Sequence, residues 1–207
     1  RKLNAVTRKD AYPLPKISET LDTLSSASYF CTLDLASGYW QIPMSDKDKP
    51  LTAFSTHLGL HHFNVMPFGL CNAPSTFERL IERVLRHMQF EKCLCYLDDI
   101  IVFGKTFKDT LANMRQVFQC FRLASLTLKP NKCHLFKKEV EYLGHTISDK
   151  GVSCSMKKVN AVQNWPIPES QTDVRSFLGL MNYYRRFIPE FSSIAFPLTQ
   201  LTQKKMG

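Results

Sequence analysis

The sequence predicts an α+β fold with helices packed on one face of an antiparallel sheet. Three observations carry this. Two strand-like runs, Cys93–Leu97 and Ile100–Phe103, are separated only by Asp98-Asp99, which reads as a hairpin with the acids in its turn. Two segments have helical periodicity, one through Phe77, Leu80, Ile81, Val84, Leu85 and Met88, the other through Phe107, Leu111, Met114, Phe118 and Phe121. The element order is strand–helix–hairpin–helix–strand.

Taken along the chain, Leu14–Ser25 reads as a short helix with Ile17, Leu21 and Leu24 on one face and Pro15 in its first turn. Tyr29–Leu35 reads as a strand carrying Asp34 near its end. Residues 43–70 hold Pro43, Pro50, Gly59, Pro67 and Gly69 among β-prone pieces, which suggests an inserted β-rich lobe; His57, His61 and His62 fall there on a solvated loop. In the helix around Phe77, residues Glu78, Arg79, Glu82, Arg83 and Arg86 fill the polar face, with Glu82 and Arg86 spaced to pair. Thr106–Asp109 reads as a capping box opening the next helix. Leu126–Leu128 and Val140–Ile147 read as strands, and Gly151 as a boundary. Beyond it, Met156–Trp165 forms a short helix ended by Pro166. Ser170–Asp173 then caps a helix with Val174, Phe177, Leu178 and Met181 inside.

Composition narrows the function classes. The 207 residues suffice for one large or two small domains, and 44% apolar content is that of a globular protein with no membrane-spanning stretch. The seven cysteines, without a Cys-x-x-Cys pair, read as reduced and buried in an intracellular protein. The opening Arg1-Lys-Leu-Asn reads as an internal segment of a longer polypeptide. Residues 1–103 carry 11 Lys+Arg and 11 Asp+Glu, whereas residues 104–207 carry 16 against 7, so the net +9 lies wholly in the second half. An acid cluster beside a basic half suits metal chemistry on a gripped polyanion.

Two carboxylates about 4 Å apart repel by about 4 kcal/mol at an effective dielectric of about 20. The Asp98-Asp99 pair must therefore take up a proton, meet a basic side chain or bind a metal. By itself the Asp98-Asp99 pair is also compatible with an ordinary turn. An Asp-bearing strand such as Tyr29–Leu35 beside an Asp-Asp hairpin is how two-metal phosphoryl-transfer sites are built, with Mg²⁺ keeping positions for water and substrate phosphates.

Thr32-Leu-Asp-Leu-Ala-Ser-Gly-Tyr-Trp-Gln-Ile42, Met66-Pro-Phe-Gly-Leu-Cys-Asn-Ala-Pro-Ser-Thr-Phe77, Tyr96-Leu-Asp-Asp99 and Glu141-Tyr-Leu-Gly-His145 resemble, in order and spacing, successive motifs of reverse transcriptases, most closely those of gypsy-type long-terminal-repeat retrotransposons. Arg1–Arg8, Asp10–Pro15 and Leu178–Phe187 extend the similarity over nearly the whole chain. The resemblance implies a right-hand polymerase: residues 1–12 and 42–72 as fingers, 13–41 and 73–146 as palm, 147–207 as thumb and the start of a connection. It implies Asp34, Asp98 and Asp99 as catalytic carboxylates, with the Leu35 carbonyl also touching one of two Mg²⁺ ions (Mn²⁺ as an alternative). Ala36, Ser37 and Gly38 match the backbone facing the triphosphate, and Tyr39 the gate that excludes a ribose 2′-OH. Phe68-Gly69 matches the position beside the incoming nucleotide. Lys132 matches a lysine that protonates pyrophosphate, and Tyr142, Leu143 and Gly144 match the primer grip.

The implied function is RNA-directed DNA synthesis: addition of dNTPs to a primer 3′-OH on an RNA or DNA template. The implied parent is a Pol polyprotein with ribonuclease H and integrase regions, located in a cytoplasmic retroelement particle or the nucleus. The family's fingertip lysine and arginine lie upstream of the Arg1–Asn4 motif, so weak or absent polymerisation is expected of this segment alone, restored when the upstream finger strands are added back. A catalytically silent nucleic-acid-binding remnant and a two-metal nuclease are the competing readings; only the polymerase needs Tyr39 and a primer grip.

Overall fold

Period-two alternation along one central strand organises the molecule. The computed structural model describes residues 2–203; Arg1 of the opening motif lies outside them. Two short helices, α1 (Lys2–Val6) and α2 (Ile17–Thr23), precede β1 (Tyr29–Asp34). A hairpin of β2 (Phe54–Thr56) and β3 (Gly59–His61), α3 (Ala73–Leu85), β4 (Cys93–Tyr96), β5 (Asp99–Gly104) and α4 (Phe107–Leu123) follow. Next come β6 (His134–Lys137), β7 (Glu139–Tyr142), β8 (His145–Ser148) and β9 (Gly151–Cys154), then α5 (Met156–Gln163), α6 (Gln171–Tyr183) and α7 (Phe191–Leu201).

The main sheet is antiparallel in the order β4-β5-β1-β6. On β1, Cys31 and Leu33 enter one core with Phe77, Ile81 and Leu85 of α3 and Met114, Val117 and Phe121 of α4. Phe30 points the other way, into a second core with Leu21, Leu24, Ile101, Phe103, Val140 and Tyr142. Helices do back one face, as expected, but the opposite face is also covered. Removing a ring such as Phe77, which is 0% exposed, should cost about 3–5 kcal/mol.

Several sequence expectations shift in detail. Helix α2 begins at Ile17, not Leu14, because each residue before a proline is biased to extended backbone, and Lys16 is still extended. The hairpin turn is Leu97-Asp98, since Tyr96 pairs with Asp99, so Asp99 is the first residue of β5. The buried stripe of α4 is Thr110, Met114, Val117 and Phe121, whereas Phe107 and Phe118 are exposed. Thr106 caps α4 by accepting from Asp109 N at 3.1 Å. His61 ends β3 rather than lying on a loop, although it is exposed.

The strand expected over Val140–Ile147 is broken. Leu143 (φ 48°) and Gly144 (φ 75°) are both left-handed, the signature of a two-residue turn between β7 and β8. Strand β6 went unread because His134-Leu-Phe-Lys137 mixes polar and apolar residues; it pairs with β1 through a register shift.

The chain divides into two units, each described by itself. The first runs to Leu143 and takes in Ile147–Val152; the second comprises Gly144–Thr146 and the chain from Ser153 onward, two residues past the expected boundary. In the second unit, α6 opens with a complete capping box of Ser170 and Asp173. Its Arg175 donates to Thr202 O at 2.9 Å, after the end of α7. No helix among the described residues is long and apolar enough to cross a membrane.

Candidate active site

The alternation that buries Phe30 carries Thr32 and Asp34 to the same face of β1, at the strand's end. Asp34 stands directly opposite Asp99 in the β1–β5 register. Both line a cleft of about 570 Å³ with Thr32, Lys132, His134 and Tyr142. Asp98 follows Leu97 in the adjoining turn and is exposed. Burial first, then the negative charges of Asp98 and Asp34, push the Asp99 carboxyl above the usual carboxylate range, with Lys132 opposing. Asp99 is thus near enough to sense both Asp98 and Asp34.

Lys132 reaches this cluster from far along the chain. The segment between α4 and β6 lies against β1 through a Leu35–Leu128 bridge, Ala36 N donating to Thr127 O (2.9 Å) and Lys129 N donating to Asp34 O (2.9 Å). This sets Lys132 Nζ 3.1 Å from Asp34 Oδ2. The pair is partly exposed, so it contributes at most about 1 kcal/mol.

Two non-glycine residues beside the acids occupy left-handed backbone: Ser37 at φ 52° and Leu97 at φ 56°. Each costs on the order of 1–3 kcal/mol and must be held by its surroundings. Gln41 holds the first. Its Nε2 donates to Ala36 O (2.8 Å) and Thr127 O (2.9 Å), and its Oε1 accepts from Thr127 N (2.7 Å). Glu78 meets the second, accepting from Leu97 N at 2.5 Å. Sequence reasoning assigned Glu78 to a solvated helix face, yet it is 0% exposed. Its position beside Phe77 at the margin of the apolar stripe was the available signal, and a charge there reads as outward. Burial lifts its pKa to about 7, with the Leu97 hydrogen bond opposing. Glu82, expected to pair with Arg86, accepts from the Tyr12 hydroxyl instead.

Tyr39 is half-buried, and its ring packs against Phe68 (centroids 5.2 Å) and Phe77 (5.5 Å). Burial and then Asp98 raise its hydroxyl pKa, which puts Tyr39 beside the acids. Gly38 is buried; a Cβ there would lie 2.7 Å from Phe77 Cζ, so its smallness has a packing cause. Gly69 takes φ +89°, a conformation glycine adopts freely. Asn4 clasps that turn, donating to Gly69 O (2.7 Å) and accepting from Cys71 N (3.0 Å). Sequence reasoning gave no role to Asn4 or Gln41.

The residues matched to a primer grip divide. Tyr142 is buried and its hydroxyl donates to Asp99 O at 3.3 Å, so it supports the acid-bearing strand. Leu143 and Gly144 form the following turn. Gly144 O accepts from Tyr184 Oη at 3.1 Å within the second unit.

The acids are all hard oxygen donors, and the charges of Asp98 and Asp34 on Asp99, partly offset by Lys132, suit a divalent cation such as Mg²⁺. Among the described residues, no three His, Cys, Asp or Glu side chains close on one point as a ready-made cage.

The chain is 42% identical over 205 residues to the Retrovirus-related Pol polyprotein from transposon 297 of Drosophila melanogaster, covering 99% of this chain and 19% of that protein. It is 41% identical over 207 residues to the corresponding polyprotein from transposon gypsy of the same organism, covering 100% and 20%. The chain therefore spans about a fifth of the length of these relatives. The fold superimposes with a TM-score of 0.90 and 27% identity on the foamy viral protease-reverse transcriptase dRH in complex with double-stranded DNA, over 96% of this chain and 35% of that one. Residues 1–147 match the family described as reverse transcriptase (RNA-dependent DNA polymerase), and to that family this chain belongs.

Proposed function

We propose that this chain is the polymerase core of a retrotransposon Pol polyprotein, extending a primer 3′-OH with dNTPs on an RNA or DNA template. The observation that carries this reading is the registered opposition of Asp34 and Asp99, with Asp98 in the adjoining turn and Lys132 on Asp34. Asp34, Asp98 and Asp99, with the Leu35 carbonyl, would hold two Mg²⁺ ions, or Mn²⁺ in their place. Bound there, the ions supply in-line orientation and neutralise charge developing on the transferred phosphoryl group.

The chain's own residues do the rest. Lys132 holds a proton at Nζ beside Asp34 and can deliver it to the leaving pyrophosphate. Tyr39, braced by Phe68 and Phe77, forms a wall against a ribose 2′-OH. The backbone of Ala36, Ser37 and Gly38 faces the triphosphate, and the Gly69 turn beside Phe68 lets the chain approach the nucleotide. Tyr142, Leu143 and Gly144 support the primer end. On this reading residues 1–12 and 42–72 are fingers, 13–41 and 73–146 palm, and 147–207 thumb and the start of a connection. The basic second half grips the duplex without sequence preference. Ribonuclease H and integrase regions belong to the parent polyprotein, which acts in a cytoplasmic retroelement particle or the nucleus.

Primer extension with Mg²⁺ on RNA and DNA templates, by the parent polyprotein beside this segment, tests this, and the parent's result decides. Extension supports the reading; duplex binding alone marks a silent remnant; cleavage of the strand marks a nuclease.

A further inference from the structure

The turn that carries Asp98 is two residues long, and its first residue has the wrong side chain for its backbone. Leu97 sits at φ 56°, where such turns favour glycine. Its N–H also points away from the β4–β5 ladder, because the ladder closes at Tyr96–Asp99. That N–H donates to a helix side chain, Glu78 Oε2, at 2.5 Å. Glu78 is an acid at 0% exposure in the core, and its second oxygen lies 4.0 Å from Cys95 Sγ. A buried carboxyl is costly unless it does something a leucine cannot. Here it gives a partner to the half-buried N–H of the residue preceding the acids.

We infer that Glu78 is a positioning residue: from α3 it holds the left-handed Leu97 turn and thereby sets where Asp98 and Asp99 stand. Tyr142 fastens the other side of the same turn at Asp99 O. The turn is thus held from both sides by buried polar groups, one on a helix and one on β7. The inference rests on the reading of Asp98 and Asp99 as catalytic acids. The required feature is an acceptor, not a charge. An amide oxygen at position 78 accepts the same N–H, and burial already favours the neutral form of the acid.

The test compares Glu78→Gln, Glu78→Leu and Glu78→Leu with Leu97→Gly, using primer extension and amide hydrogen exchange at residue 97 followed by NMR. Glu78→Leu fills the same space without an acceptor. It should lower kcat about 10²-fold, the effect of roughly 1 Å of misplacement, and leave KM for primer–template within about threefold. It should also expose the residue-97 amide to exchange. Glu78→Gln should keep kcat within about threefold and the amide protected. Leu97→Gly, which adopts the turn without strain, should recover at least about tenfold of the kcat lost in Glu78→Leu. Wild-type kcat or an equally protected amide in Glu78→Leu overturns the inference, as does a double variant no better than Glu78→Leu. A parent polyprotein that extends no primer, while the residue-97 amide of this segment is protected and released by Glu78→Leu, sinks the polymerase reading and leaves the anchor standing.

Discussion

Asp34 and Asp99 face each other across the β1–β5 ladder, and the carboxyl of Asp99 is pushed upward by burial and by its acidic neighbours. Like charges so placed are destabilising. On the proposed function, a divalent cation bound between them would relieve that repulsion. At about ten times its dissociation constant, Mg²⁺ should stabilise the fold by about 1.4 kcal/mol, read as a rise in melting temperature. Asp98→Asn should weaken that response. A melting temperature indifferent to Mg²⁺ would argue against an ion on these acids.

Asp98→Asn should also reduce extension at least about 10³-fold while leaving duplex binding nearly intact, because the lost interaction belongs to the transition state. Single-turnover extension beside a fluorescence binding titration separates the two. Wild-type-like extension would remove Asp98 from the site.

Tyr39 is braced between two rings, so Tyr39→Val should open space beside the sugar and raise ribonucleotide incorporation relative to deoxyribonucleotides by on the order of tenfold or more, about 1.4 kcal/mol. Competition between the two nucleotide classes on one primer reads this. An equal loss for both would mark Tyr39 as packing.

The folded pKa of Glu78, about 7, lies above its ordinary value of 4.5. The folded state then binds more protons than the unfolded one between those values. Stability should fall as pH rises from about 4.5 to about 7 and level off above. The shift corresponds to roughly 3 kcal/mol as an upper bound. Glu78→Gln should flatten that part of the profile in urea unfolding series at fixed pH values. An unchanged slope would place the titration elsewhere.

Gly38→Ala should destabilise by about 1–3 kcal/mol, since the new methyl would lie 2.7 Å from Phe77 Cζ in a packed core. Phe77→Leu makes room and should recover part of the loss in the double variant. Additive losses in denaturant midpoints would show that the two positions do not meet.

The acids, the strand character of Tyr29–Leu35, the α3 stripe through Phe77, Ile81 and Leu85, and the Ser170–Asp173 cap were legible because each is a local pattern. Apolar spacing, strand period and capping chemistry act over a few residues, and motif order extended them to the polymerase family. Tertiary structure alone decided the rest. It set Lys132 on Asp34 by laying the Thr127–Lys129 segment against β1. It turned Glu78 inward to meet Leu97, and split the expected Val140–Ile147 strand at Leu143-Gly144. It also moved the α4 stripe onto Thr110 and Val117. A helix's buried face and a carboxylate's partner depend on what arrives from distant sequence. Burial inverts the ordinary preference of a charge for water only when a specific donor, here one backbone N–H on a strained turn, is waiting inside.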